Sequence, residues 1–172
     1  MKNYETKLKE LTEQLKISLK NPLKRFDEVK DIEANGIYIV YKGGILLYVG
    51  STTKKGHKRM GDLISFWDNH TLHKKLLKEK LGVNKLIWCK KGEVSPYSKK
   101  QLIKDGKFTE EQFKKTDEET IELIKTFKFR FIDMTSKKSK DIKNFEHFTI
   151  AVLDPLYNGE PPHSKLCGIY DD

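Results

Sequence analysis

Residues 4 to 20 place Leu8, Leu11, Leu15, Ile17 and Leu19 at helical spacing among charged side chains, and the run stops at Asn21-Pro22. This predicts an amphipathic helix packed by one face onto a core. From residue 36 the period changes. Two short apolar runs, "GIYIVYK" and "ILLYVGS", flank Gly43-Gly44 and predict a hairpin. "STTKKG" is a polar loop, followed by a helix expected from about Lys58 to Trp67. "HTLHKKLLKEKLG" predicts a further helix closed by Gly82, and "NKLIWCKK" a short strand. Residues 91 to 116 are lysine-rich and polar, and are expected to hold a short helix or two; "TEEQ" at 109 to 112 has capping-box form. A helix is expected from Asp117. "FKFRFIDM", 127 to 134, alternates Phe127, Phe129 and Phe131 against Lys128 and Arg130, which predicts a third strand with one buried face. "SKDIKNFEHFTIAVLDP" predicts a last helix from about Asp141 that ends before Pro155.

This order predicts an α+β fold, a small three-stranded antiparallel sheet flanked by helices. Three segments are expected: an N-terminal helix and connector over 1–34, a central domain over 35–158 with a basic insertion at about 84–126, and a tail over 159–172. No run of 18 apolar residues exists, and the first residues lack an apolar signal core, so a cytoplasmic protein without a membrane partner is expected. Cys89 and Cys167 are isolated and form no metal pair.

Charge adds a partner class. The 172 residues carry a net charge of +9, which suits a binder of polyanions. Of the 34 basic residues only Arg25, Arg59 and Arg130 are arginine. Lysine is the default cation here, so each planar, bidentate arginine fork is a candidate for a specific task.

Hydrolysis of a phosphodiester needs an activated water, cationic stabilisation of the crowded phosphate and, commonly, a divalent metal on a carboxylate. Tyr38, Tyr48, Arg59 and Glu146 could supply these if they converge. Taken singly, each tyrosine reads as a half-buried strand aromatic. Glu146 on periodicity alone reads as a solvated residue at a helix edge.

Together these residues resemble the GIY-YIG nuclease family. Gly36-Ile37-Tyr38 matches the first signature element and Tyr48-Val49-Gly50 the second, with valine in place of isoleucine. Arg59, Glu146, Pro155 and Asn158 follow in the family's order, and the resemblance spans residues 35 to 158, about 70% of the chain. A second Gly-Ile-Tyr at 168 to 170 has no partner strand and nothing downstream. Arg59 lies one residue beyond the commoner spacing from Tyr48, where Lys58 stands; the bidentate fork favours Arg59 for the phosphate.

The resemblance implies a metal-dependent DNA endonuclease. Tyr38 would be general base or water-positioning group, Tyr48 would orient nucleophile or phosphate, Arg59 would stabilise the developing charge, Glu146 would hold Mg²⁺ or Mn²⁺, and Asn158 would brace the site. His57 and Lys58 are candidate supporting residues. Candidate DNA contacts are Lys54, Lys55, Lys58, Arg25, Arg130, His70 and His73. His70 and His73 stand near one helical turn apart without an evident third metal ligand, so a solvated face or phosphate contact is expected. The expected substrate is double-stranded DNA, cut by a homodimer if both strands of a symmetric site are cleaved. Lacking zinc-finger spacing or a separate DNA-binding module, the chain is similar to the small type II restriction-like and phage or mobile-element members. The alternative is a catalytically idle nucleic-acid-binding module on the same fold.

Overall fold

Tight turns and close strand approach organise the fold around the hairpin. The computed structural model describes residues 4–53 and 56–158; Lys54, Lys55, Cys167 and the second Gly-Ile-Tyr lie outside the described residues. In chain order the elements are α1 (Tyr4–Ser18), β1 (Lys24–Arg25), α2 (Phe26–Val29), β2 (Gly36–Lys42), β3 (Ile45–Thr52) and α3 (Gly56–Asp62). Then come α4 (Thr71–Lys80), α5 (Lys99–Lys104), α6 (Glu110–Lys125), β4 (Lys128–Asp133) and α7 (Ser139–Leu153). The class is α+β, as expected. The sheet, however, has four antiparallel strands in the order β1-β4-β2-β3, not three. The added strand is only Lys24-Arg25 against Phe129 and Lys128. Two residues are too short to carry an alternation signal in sequence.

Gly43 and Gly44 form the hairpin turn with φ of 55° and 84°, a left-handed pair that glycine adopts without a Cβ penalty. Gly36 serves a different need. A Cβ there would stand 1.9 Å from the Ile132 carbonyl oxygen, so only glycine lets β4 approach β2 at this point.

Alternation divides the sheet into two faces. Ile37, Ile39, Val49 and Ile132 bury one face against Leu15 of α1 and Ile142, Phe145 and Phe148 of α7. Each such side chain contributes about 1.5–3 kcal/mol on burial. The register sets Tyr38, Val40, Tyr48 and Phe129 on the other face, where Phe26 of α2 meets Phe129 edge-on at 5.8 Å. Arg130 is fastened within the sheet's surroundings: Nε donates to the Asn21 carbonyl at 2.7 Å, Nη1 donates to the Tyr41 hydroxyl at 3.0 Å, and the guanidinium lies 5.4 Å from the Tyr41 ring centroid.

The chain divides into two units, the described residues of Met1–Met60 with Phe127–Asp172, and Gly61–Thr126. The second unit takes in α4 as well as residues 84–126, the expected insertion. Its own core gathers Trp67, Leu77, Leu86, Leu102, Phe108 and Phe113. Within it, "TEEQ" opens α6 directly: Thr109 Oγ1 accepts from the Gln112 amide at 3.0 Å and Gln112 Oε1 accepts from the Thr109 amide at 2.8 Å. The expected break before Asp117 is absent, because Phe113, Thr120 and Ile124 form one continuous buried stripe and the lysines between them face outward. The expected strand near "NKLIWCKK" reduces to one bridge between Ile87 and Ser98. No helix among the described residues is long and apolar enough to cross a membrane.

Candidate functional site

Three consecutive residues of β3 each engage one of the candidate side chains. β3 ends the sheet, so its outer edge and both of its faces are open to other elements. At Val49 the edge is taken by Asn158: Oδ1 accepts from the Val49 amide at 2.7 Å, and Nδ2 donates to the Val49 carbonyl at 2.6 Å. The Leu156 and Tyr157 amides continue this pairing, donating to the Leu46 and Leu47 carbonyls at 3.3 and 2.8 Å. An asparagine side chain thus completes the strand edge as a backbone amide would. The turn that delivers it follows Asp154, which ends α7 in the left-handed conformation at φ 46°.

At Gly50 the neighbour is Tyr38. The register opposes the two residues across β2 and β3. A Cβ on Gly50 would lie 2.3 Å from Tyr38 Oη, 2.4 Å from its Cζ and 2.8 Å from Tyr48 Cε1. The Tyr38 and Tyr48 rings stand 6.2 Å apart and are tilted by 30°. Arg59 of α3 closes the cluster, its Nε donating to Tyr38 Oη at 3.3 Å. The start of α3 is itself fixed by close packing, since the Gly56 amide donates to the Ala34 carbonyl at 3.1 Å and a Cβ on Gly56 would meet the Ala34 and Ile32 carbonyls at 2.7 Å. Lys58, the alternative for the arginine's role, is exposed.

Tyr38 is wholly buried. Burial pushes its phenol well above the ordinary value of 10.0, the neighbouring Tyr48 and Glu146 add to the rise, and the Arg59 cation and hydrogen bond oppose it. The phenol is therefore neutral near pH 7 in this setting, with its hydroxyl already hydrogen-bonded by Arg59.

At Ser51 the neighbour is Glu146 of α7. Ser51 Oγ donates to Glu146 Oε2 at 2.7 Å, and Lys143 Nζ donates to the same oxygen at 2.7 Å. Glu146 is only 8% exposed, so it is not the solvated edge residue that periodicity alone suggests. A carboxylate this buried requires partners, and Ser51 and Lys143 provide them. Neither is part of the signature read from the sequence. Ser51 directly follows Tyr48-Val49-Gly50, and Lys143 stands three residues before Glu146, a spacing that brings helix side chains together.

Mg²⁺ takes hard oxygen ligands, commonly one or two carboxylates with waters and substrate phosphate oxygens completing the shell. Among the described residues no group of three His, Cys, Asp or Glu could hold a metal. Glu146 alone fits the single-carboxylate mode: its Oε2 already coordinates a cation, the Lys143 ammonium, whose side chain is half exposed.

Other candidates are placed elsewhere. His70 and His73 are fully buried, so the expected phosphate contact is corrected. His70 Nδ1 accepts from the Leu72 amide at 3.1 Å and caps α4, and His73 Nε2 meets Asp117 Oδ1 at 2.8 Å. Each is buried with a polar partner inside the fold, so the polar character that marked them in sequence is met by the protein itself. Two nitrogens of Arg130 are spent on Asn21 and Tyr41, which makes it a brace of the sheet. Arg25 lies at the start of α2 and is exposed, its backbone amide donating to Glu28 Oε2 at 2.7 Å. His57, half-buried beside Gly56, has its Nδ1 buried without a partner among the described residues. Lys54 and Lys55 lie outside the described residues.

Comparisons with protein-family models, with curated proteins and with solved structures give no match for this chain.

Proposed function

We propose that the chain is a metal-dependent endonuclease that hydrolyses DNA phosphodiester bonds, with a site built around residues 49 to 51 of β3. The observation that carries this reading is the convergence of Asn158, Tyr38 with Arg59, and Glu146 on Val49, Gly50 and Ser51. In hydrolysis a water oxygen forms a bond to phosphorus while a bridging P–O bond breaks. The Arg59 guanidinium neutralises charge that develops on the phosphoryl oxygens. The neutral Tyr38 phenol, supported by Tyr48, orients the attacking water or the phosphate. Asn158 fixes the strand edge and so the position of Tyr48 and Gly50. Glu146 would hold Mg²⁺ or Mn²⁺, which when bound would supply Lewis-acid stabilisation of the phosphate and leaving oxygen. The surplus of basic residues favours a polyanionic substrate.

The Lys143–Glu146 pair favours a second reading, an idle binding module, because an ammonium already satisfies the carboxylate. One experiment separates them. Supercoiled plasmid is incubated with the protein in Mg²⁺, in Mn²⁺ and in EDTA, beside Glu146→Gln and Arg59→Lys. The nuclease reading expects cleavage that EDTA abolishes and that each substitution lowers at least about 100-fold, the scale of losing a transition-state charge contact. Salt-sensitive DNA binding without cleavage in any metal would establish the idle module. Cleavage that persists in Glu146→Gln and in EDTA would overturn the metal site.

A further inference from the structure

The second unit exposes rings where a soluble surface ordinarily hides them. Trp88 is 47% exposed, Phe66 44% and Tyr97 42%. They belong to one locality. The Phe66 ring meets Trp88 edge-on at 6.4 Å and 89°. The Ile87 amide, next to Trp88, donates to the Tyr97 carbonyl at 2.9 Å. Lys85 Nζ sits 4.5 Å from the Tyr97 ring centroid. A recess of about 230 Å³ opens beside Tyr97 and Lys85 and is bounded by Lys107. Between residues 84 and 107 seven lysines face only Glu93 and Asp105, a local charge of +5.

Rings at a surface have an energetic cost in water unless something covers them. The occupant must also tolerate, or require, a strongly positive surround. A protein partner would meet that with acidic side chains, yet would not need three exposed rings, one of them carrying a lysine ammonium. An unpaired nucleic-acid strand matches both features, because its bases stack on aromatic rings and its phosphates pair with ammonium groups. A duplex does not, because its bases are already stacked. We infer that the Phe66–Trp88–Tyr97 surface, with Lys85, Lys90 and Lys107, is a binding site for single-stranded nucleic acid, with a base stacked on Trp88. This site lies within the second unit and holds whether or not the Glu146 site cuts DNA.

The full chain in EDTA supplies the test, so that no cleavage intervenes. A labelled single-stranded oligo(dT) and a duplex of equal length are titrated and followed by anisotropy and by tryptophan fluorescence. The chain has two tryptophans, and Trp67 is only 4% exposed, so quenching reports on Trp88. The expected result is quenching by the single strand, with Trp88→Ala weakening its binding about 5- to 150-fold while duplex binding is unchanged. Trp88→Phe, which keeps a ring, should recover most of the affinity. Lys85→Gln with Lys90→Gln should reduce the log–log salt slope by about 1.4, two phosphate contacts at about 0.7 each. Unquenched fluorescence, or Trp88→Ala binding the single strand like the parent with an unaltered thermal melt, would overturn the inference. So would self-association lost in Trp88→Ala with single-strand affinity unchanged, which would assign the surface to a second copy.

Discussion

Adding one methyl group at Gly50 challenges the tightest packing in the candidate site. The Cβ of Gly50→Ala would meet Tyr38 Oη at 2.3 Å and Cζ at 2.4 Å. Real Cβ atoms do not approach heavy atoms so closely, so ring or strand must move. The ring has little room: it is wholly buried, hydrogen-bonded by Arg59 and flanked by Tyr48. The strand has little room either, since Val49 is clamped by Asn158 and Ser51 is tied to Glu146. Overpacking of this kind costs about 1–3 kcal/mol, and the rigidity on both sides places Gly50→Ala in the upper half of that range. For a chain of this length about 2–3 kcal/mol lowers Tm by about 4–12 °C. The control is Gly61→Ala, in α3, where nothing lies within 4 Å of the added Cβ; there alanine should stabilise by about 0.5–1 kcal/mol. Thermal melts followed by circular dichroism read both. A double-mutant cycle assigns the cause, because in a Tyr38→Ala background only the Tyr48 Cε1 contact at 2.8 Å remains and the added methyl should cost clearly less than it does in the parent. A Gly50→Ala melt within 1 °C (roughly 0.3–0.5 kcal/mol at this size) of the parent, or an equal cost in the Tyr38→Ala background, would refute the packing argument.

Three further outcomes are expected. Tyr38 keeps its proton in the folded chain while an unfolded tyrosine loses it near 10, so its contribution to stability is fully present below pH 10 and is lost as pH rises beyond it; alkaline melts of Tyr38→Phe should show a shallower decline than the parent, and equal slopes would contradict the assignment. Asn158→Asp keeps an acceptor for the Val49 amide but turns a carboxylate oxygen toward the Val49 carbonyl, so it should cost more than Asn158→Ala, itself about 1–3 kcal/mol by chemical denaturation; the reverse order would show that the paired amide is not what holds the edge. Ser51→Ala removes one of two donors to a buried carboxylate and should cost about 1–2 kcal/mol, while Lys143→Gln in the same background should cost more than it does alone; additive losses would mean the two donors act independently.

Part of the candidate site was legible in the chain itself. Gly36 and Gly50 bracket the two tyrosines, and the structure gives both glycines steric reasons: Gly36 admits the Ile132 carbonyl and Gly50 admits the Tyr38 ring. Arg59 rather than Lys58 reaches Tyr38, a distinction that spacing alone argued against. The histidines were misleading because polarity in sequence says nothing of enclosure, and His70 and His73 are fully buried.

By itself, the sequence determines what depends on near neighbours. The alternation of Ile37, Ile39 and Val49 selects the core face, Gly43-Gly44 turns the hairpin, the "TEEQ" box opens a helix, and Asn21-Pro22 and Pro155 end helices. These outcomes follow from steric and hydrogen-bonding rules acting over a few residues. Tertiary structure decides whatever links distant residues: the pairing of Lys24-Arg25 with β4, the burial of Glu146 against Ser51, and the seating of Asn158 on Val49. A strand presents two faces and an edge at successive residues, but only the packed chain determines which side chains arrive there, because each arrival depends on the shape and register of elements about 100 positions away.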